Sequence, residues 1–327
     1  MADFSIKESA FAGWGLIRRK PGLVLALAVY CFVINIVGYW AIMALVGEPL
    51  AMVAEMRAAG EMGAMADPST AMQVGGASMV LQVISGLMAL LSFMVAAGAV
   101  ARAVIRPSTS KPPYIGLGAD EFRLFVVGLV VGLILFAFIF AGSIIAGILG
   151  IGAAIATGEM KQMAENPGEL PPMFAAVTYG GTAVVTILAF LFSVRFSLAP
   201  ALSEREEGVR IFGSWALSKG RFWRMTGAYL LAMLTLLPFS LIQVGILVAL
   251  AMNGGAGLRD AMMTTFQPDW SQQSIFSPTV LTFMALNSIN WALGGVVCLA
   301  SSFNIYAQIA GTAEPVDDDD DDDDDDD

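Results

Sequence analysis

The chain reads as an all-α polytopic membrane protein: six transmembrane helices paired as three hairpins, with interfacial helices on the cytoplasmic side. Three observations predict this. Six apolar runs, at about 22–47, 76–100, 124–150, 178–200, 226–252 and 279–310, each reach the roughly 20 residues that a helix needs to cross ~30 Å of hydrocarbon. The 327 residues are 57% hydrophobic and 14% charged, with mean hydropathy +0.73, where a soluble domain averages about 25% charged. Fourteen of the 17 Lys and Arg fall on one side of the six-run pattern, so the positive-inside rule puts both termini in the cytoplasm.

Residues 1–21 form the first element, an expected cytoplasmic interfacial helix. Ser5-Ile-Lys-Glu8 is a capping-box pattern, and Pro21-Gly22 stops the helix after Arg18-Arg19-Lys20. Phe4, Phe11 and Trp14 recur on one face, which suits a helix lying in the headgroup layer. The segment lacks the short apolar core and small-residue cleavage site of a signal peptide. The six-span domain follows over 22–310. Its outer loops, about 48–75, 153–177 and 253–278, hold only Arg57, Lys161 and Arg259 as cations and are rich in Met, Ala, Gly and acids. The first of them carries an expected short helix around Ala51–Ala66. These loops are either plain connectors or a lid. Between spans 4 and 5 a second interfacial helix is expected over about 203–224, started by a second capping box, Ser203-Glu-Arg-Glu206, with Phe212, Trp215 and Phe222 on one face. Residues 311–327 form an acidic cytoplasmic tail. Its eleven aspartates, Asp317–Asp327, account for the whole net charge of −11; outside them acids and bases balance. Such a run repels itself and buries nothing, so it is read as disordered. It offers loose binding to a basic partner or to divalent cations, not a fixed metal site.

The two interfacial segments resemble each other. Phe11-Ala-Gly-Trp14-Gly-Leu16 precedes Arg18-Arg19-Lys20, and Phe212-Gly-Ser-Trp215-Ala-Leu217 precedes Lys219-Gly-Arg221, with Arg224 beyond. A weaker middle copy is Tyr114 to Leu124. Either the body is a threefold internal repeat, or membrane entry points simply collect Trp and cations. On both readings Trp14, Arg18, Arg19, Lys20, Trp215, Lys219, Arg221 and Arg224 are the candidate contacts for anionic headgroups. Arg195, near the cytoplasmic end of span 4, can snorkel, clamp a phosphate or cap helix carbonyls.

Chemistry within the spans is sparse. Asn287 and Asn290, three apart in span 6, share a face and are expected to point inward, as is Gln243; they line a polar cavity or bond between helices. Asn35 and Gln82 are read the same way. Gly128-Leu-Val-Val-Gly132 is a GxxxG, read as close packing within the chain or as a homo-oligomer face. No acid lies deep in a span, against ion-coupled transport. There is no histidine, and Cys31 and Cys298 sit inside the first and last spans as packing residues, so no metal and no cofactor is expected. Ser108-Thr-Ser-Lys111 matches S-x-x-K without its companion motifs, in a Pro-rich link, and is set aside. No phosphate-binding loop or nucleophile elbow is present, and nucleic acid is not an expected partner.

Arg195-Phe-Ser-Leu-Ala-Pro200, followed by Ser214-Trp215-Ala-Leu217-Ser-Lys219-Gly-Arg221-Phe-Trp223, resembles the glycerophosphoryl diester phosphodiesterase membrane-domain family. The segments Phe11 to Arg19 and Tyr114 to Leu124 are similar to its alphaproteobacterial members. The resemblance implies a six-span domain of the bacterial inner membrane. In fused members this domain precedes a catalytic barrel. About seventeen residues follow span 6 here, so the resemblance transfers neither activity nor a catalytic residue. The expected protein is therefore non-enzymatic: a membrane-organising scaffold whose Trp/Arg belts hold anionic lipid. The rival is a transporter or flippase for a lipid-like or small amphipathic molecule. A dry bundle favours the first, and a cavity of several hundred Å³ lined by the span amides favours the second.

Overall fold

A computed structural model describes residues 4–58, 68–105, 116, 118–159, 161, 171–206, 208–253 and 278–311. Among them every regular element is a helix: α1 (Ile6–Arg19), α2 (Pro21–Ala58), α3 (Pro68–Ile105), α4 (Ala119–Thr157), α5 (Pro172–Phe196), α6 (Ala199–Arg205), α7 (Gly213–Ser218), α8 (Phe222–Asn253) and α9 (Pro278–Ala310). Six are long and apolar enough to cross a membrane: α2, α3, α4, α5 continued through α6, α8 and α9. The chain is thus a multi-pass membrane protein by length and composition. Its apolar surface agrees, with Phe136, Phe140, Ile144, Ile148 and Leu149 all exposed along α4.

Helix ends fall where local chemistry places them. Ser5 caps α1, its Oγ accepting the Glu8 N–H at 3.3 Å. Pro21, Pro68, Pro172 and Pro278 each open a helix, where the missing N–H is no loss. Gly158 ends α4 at φ 75°, the left-handed conformation that favours glycine. Two expectations are corrected. The separate helix around Ala51–Ala66 is instead the continuation of α2 through Ala58, past Pro49; residues 59–67 lie outside the described set. Ser203 does not start a helix. It lies in the last turn of α6, and its Oγ accepts the Arg210 N–H at 3.0 Å. The expected single helix over 203–224 is two short ones, α6 ending at Arg205 and α7 at Ser218, before α8.

The end of the bundle that carries most cations, called here the basic end, is also where the core sits. Phe4, Leu16, Leu23, Leu27, Val95, Val100, Leu198, Met225, Val296 and Phe303 pack there, all nearly inaccessible. α9 lies at the centre against α1, α2, α3 and α8, while α4 packs chiefly on α5 and meets the rest through α3 and α6. α6 plugs the basic end, buried from Ala199 to Glu204. Polar ties fix the ends that the apolar packing brings together. Arg102 of α3 pairs with Glu121 of α4, whose other oxygen accepts the Gly118 N–H at 3.0 Å. Arg123 bonds Asp120 at 2.9 Å and donates to the Ser203 carbonyl at 3.3 Å, tying α4 to α6. Ser214 donates to the Arg195 carbonyl at 2.7 Å and accepts from the Leu198 N–H at 3.2 Å, tying α7 to the turn between α5 and α6.

Candidate functional site

The cations and tryptophans expected to hold headgroups stand in unlike settings. α1 is docked on the bundle. Ser5 N–H meets Gln308 at 2.9 Å and Ser9 meets Asn304 at 3.1 Å, so α1 runs antiparallel to α9. The Trp14 indole N–H donates to Thr235 of α8 at 2.8 Å, and its ring stacks on Phe239 at 5.2 Å. Thr235 lies thirteen residues into α8, roughly 20 Å along its axis at 1.5 Å per residue. Trp14 is therefore threaded among helices. Trp215 sits on α7, 42% exposed, with its ring edge-on to Phe192 at 5.5 Å. The two tryptophans that the repeat pairs do different work.

Arg18 and Arg19 are exposed at the end of α1 and Lys20 is half-buried beside them. Burial first, and the Arg19 charge second, hold the Lys20 ammonium below the usual lysine range. Lys219 is exposed, and Arg221 reaches back to the Leu217 carbonyl at 3.5 Å. Arg224 serves the fold: it donates to the Phe4 carbonyl at 2.6 Å and lies 5.4 Å from the Phe4 ring centroid. Arg195 lies 4.4 Å from the Phe222 ring centroid and 5.3 Å from that of Trp215, and donates to Ser218 at 3.3 Å. Cation–π stacking thus occupies it, an arrangement not among the three roles expected of it.

Among the described residues, two of the cavities between the spans bear on the expected polar residues. The first, of about 350 Å³, opens between α2, α3 and α9 and is lined by Asn35, Tyr39, Ser85, Ser92, Asn287 and Trp291 among others. Asn35 donates to Ser288 at 3.0 Å, and the Ser288 hydroxyl donates to the Met284 carbonyl at 2.6 Å. The two alternatives for Asn287 and Asn290, a polar cavity or a bond between helices, divide between them. Positions three apart differ by about 60° around a helix, and here that suffices to separate them. Asn287 lines the cavity, whereas Asn290 accepts from Ser240 of α8 at 3.5 Å. Gln243 is half-buried on α8 and lines neither cavity; Gln82 faces outward.

The second cavity, of about 500 Å³, lies nearer the basic end between the α4–α5 pair and the faces of α3, α8 and α9. The GxxxG of α4 forms part of its wall. A side chain at Gly128 would strike Phe93, so that glycine serves close packing, but Gly132 has open space beside it. The close-packing reading of the motif thus holds for its first glycine only. The second cavity is apolar along Leu90, Phe93, Val131 and Leu135, and polar at one end, where Ser197, Tyr229 and Ser302 gather. Ala89 and Trp291 line both cavities, so the two share a wall there. Among the described residues no charged side chain lines either one.

Sequence reasoning missed Ala89, Tyr229, Trp291 and Ser302. Two of them left a signal. Trp291 stands deep in an apolar run, away from the interfaces that tryptophan favours. Tyr229 carries a hydroxyl into another such run, which calls for a partner. Among the described residues no three metal-binding side chains are placed to hold an ion. The aspartate tail, and Tyr114, Ile115 and Leu117 of the middle repeat segment, lie outside the described residues. Comparison with known proteins gives no match to a family model, a curated protein or a solved structure.

Proposed function

We propose that this chain is a bacterial inner-membrane protein that takes a lipid-like amphiphile between its helices and gives it a route along α3 and α9. The observation that carries this reading is the pair of uncharged cavities that share Ala89 and Trp291 in their walls. Cavities of about 350 and 500 Å³ fall within the ~300–1,000 Å³ of small-molecule sites. A dry bundle would have favoured a scaffold. The docking of Trp14 and Arg224 also withdraws two members of the lipid belts on which the scaffold reading rests. The exposed cations Arg18, Arg19 and Lys219 keep a part in the proposal, as the residues that gather anionic lipid at the basic end, each adding ~1 kcal/mol near a charged leaflet. Membership of the glycerophosphoryl diester phosphodiesterase membrane-domain family, without its hydrolase, is part of the same proposal. So is the arrangement as three hairpins, α2–α3, α4–α5 and α8–α9, entered through α1, the link to α4, and α6–α7.

Transbilayer exchange of a fluorescent lipid in proteoliposomes tests the route. The wild-type chain is expected to speed exchange above the protein-free rate. Ala89→Trp, which adds bulk at the shared wall, is expected to return it to that rate while leaving the helical signal intact. Wild-type exchange no faster than protein-free vesicles would remove transport and leave the scaffold.

The orientation rests on the 14-to-3 charge split. On a background lacking Cys31 and Cys298, cysteines at positions 61, 165 and 267 are expected to react with an impermeant thiol reagent added outside cells. Cysteines at positions 111 and 209 are expected to stay unlabelled until the membrane is opened. Labelling at 111 in intact cells would invert the topology.

A further inference from the structure

Asn35 on α2, Ser85 and Ser92 on α3 and Asn287 on α9 bring polar side chains to the wall of the first cavity. Two of the four have committed their donors. Asn35 gives its amide N–H to Ser288 at 3.0 Å, and Ser92 bonds the Cys31 thiol. Among the described residues no side chain or backbone group meets the Asn287 amide or the Ser85 hydroxyl. Neither is sealed in: Asn287 is half-buried and Ser85 is exposed, so both are reachable from the cavity. The groups lie close in depth. The Asn35–Ser288 bond sets Asn35 level with Asn287, and the contact of Ala96 with Gly295 sets Ser85 within about one helical turn of that level. Asn287 is nine residues into α9, roughly 14 Å from the helix end that lies away from the basic end. A carboxamide at such depth in a span is unfavourable until something bonds it.

Resting on the proposed function above, we infer that the first cavity holds the neutral head of a single-chain lipid, a carboxamide or an undissociated carboxylic acid, paired with Asn287 by two hydrogen bonds. The amide selects this head. Its nitrogen donates and its oxygen accepts, side by side on one carbon, and a head with a donor and an acceptor at the same spacing answers both at once. An ester answers the donor alone. A carboxylate or phosphate would lose its hydration with no counter-charge, because among the described residues no charged side chain lines the cavity. The Ser85 hydroxyl serves the second lone pair of the head oxygen. About 350 Å³ takes the head and the first part of the chain, flanked by Met88 and Phe283. The rest of the chain leaves past Ser85 and Trp291, both exposed, into the hydrocarbon of the bilayer. The exposed cations at the basic end take no part in this site.

The test is competition between two lipids of identical tail, oleamide and methyl oleate, at equal concentration in detergent, with lipid retained on the full-length chain counted by native mass spectrometry. The wild type is expected to retain oleamide roughly fivefold over methyl oleate, the worth of the second hydrogen bond. Asn287→Leu, close to it in size, is expected to erase that preference. Asn290→Leu is expected to leave it intact, because Asn290 turns to Ser240 instead. The melting temperature of the lipid-free chain separates a binding amide from a structural one. Asn287→Leu is expected to keep or raise it, since the side chain gives up no bond within the chain. A clear fall would mean that Asn287 ties helices together, and would overturn the inference. If the wild type retains neither lipid, the proposed function fails as well. If it retains both alike, or if Asn287→Leu keeps the preference for oleamide, lipid binding stands and only the present inference is overturned.

Discussion

Arg102→Ala is expected to destabilise the folded chain by about 3 kcal/mol, the lower end of the range for breaking a buried ion pair. The lower end applies because the pair is unequally buried: the Arg102 side chain is 22% exposed and that of Glu121 5%. Removing the arginine strands a carboxylate that α3 and α4 enclose, and one that Gly98 makes room for: a methyl group there would sit 3.1 Å from a Glu121 oxygen. Glu121→Gln leaves the cation instead, at the end of the bundle, where it can reach water, and an amide oxygen can still accept the Gly118 N–H. That variant is expected to cost about 1 kcal/mol. The melting temperature in detergent reads the difference, with a fall of roughly 5–10 °C for Arg102→Ala and much less for Glu121→Gln. Replacing both residues by leucine is expected to cost less than Arg102→Ala alone, because no charge is left stranded. Equal costs for the two single variants would mean that Glu121 is hydrated and that the pair does not clamp α3 to α4. The pair matters to the proposed route because those two helices supply Leu90, Phe93 and Gly132 to the second cavity. Loosening them is expected to lower lipid retention along with stability.

The spans were legible because an apolar run of bilayer length has few other solutions, and because Pro21, Pro172 and Pro278 punctuate the chain where helices start. Ser5 was legible for the same local reason. Ser203 misled because the same four-residue pattern fits the last turn of a helix that starts earlier. Pro200, in the first turn of α6, was the better marker, since proline favours helix starts and cannot sit within them without loss. Features that depend on distant partners were hidden. Nothing near Trp14 in the chain announces Thr235 or Phe239, 221 and 225 residues away, so a Trp beside three cations looked like an interfacial anchor. Both Asn287 and Asn290 were expected to point inward, but which would line a cavity and which would bond to a neighbour depended on where α8 lay. The second cavity was invisible for a different reason. It exists because the α4–α5 pair stands off from α9, and a gap between helices has no residue pattern of its own. Gly132, half of a motif read as packing, and Gly86 mark its wall.

Gly13→Leu is expected to release α1 from the bundle, whereas Gly15→Leu, two residues along the same helix, is expected to leave it docked. The two substitutions gain the same helix propensity, up to about 1 kcal/mol each. They differ in what the side chain meets. At Gly13 a Cβ would run into the Val297 backbone of α9, which cannot rotate aside as a side chain can. At Gly15 there is nothing within 4 Å. Overpacking of this kind costs about 1–3 kcal/mol or more, and the chain can avoid it by detaching one short helix. Detachment forfeits the Ser9–Asn304, Trp14–Thr235 and Arg224–Phe4 bonds together, since all three cross the same seam. The readout is local: faster tryptic cleavage after Arg18 and Arg19, and exposure of a cysteine placed at Ala10, which is fully buried in the docked state. Gly15→Leu is expected to match the wild type on both and to gain slightly in melting temperature. If the two variants behave alike, α1 lies on the membrane surface as its Phe4, Phe11 and Trp14 pattern first implied. If they part as expected, Arg18 and Arg19 are presented by a fixed helix end beside the start of α2, and the proposed gathering of lipid at the basic end would proceed from a rigid position.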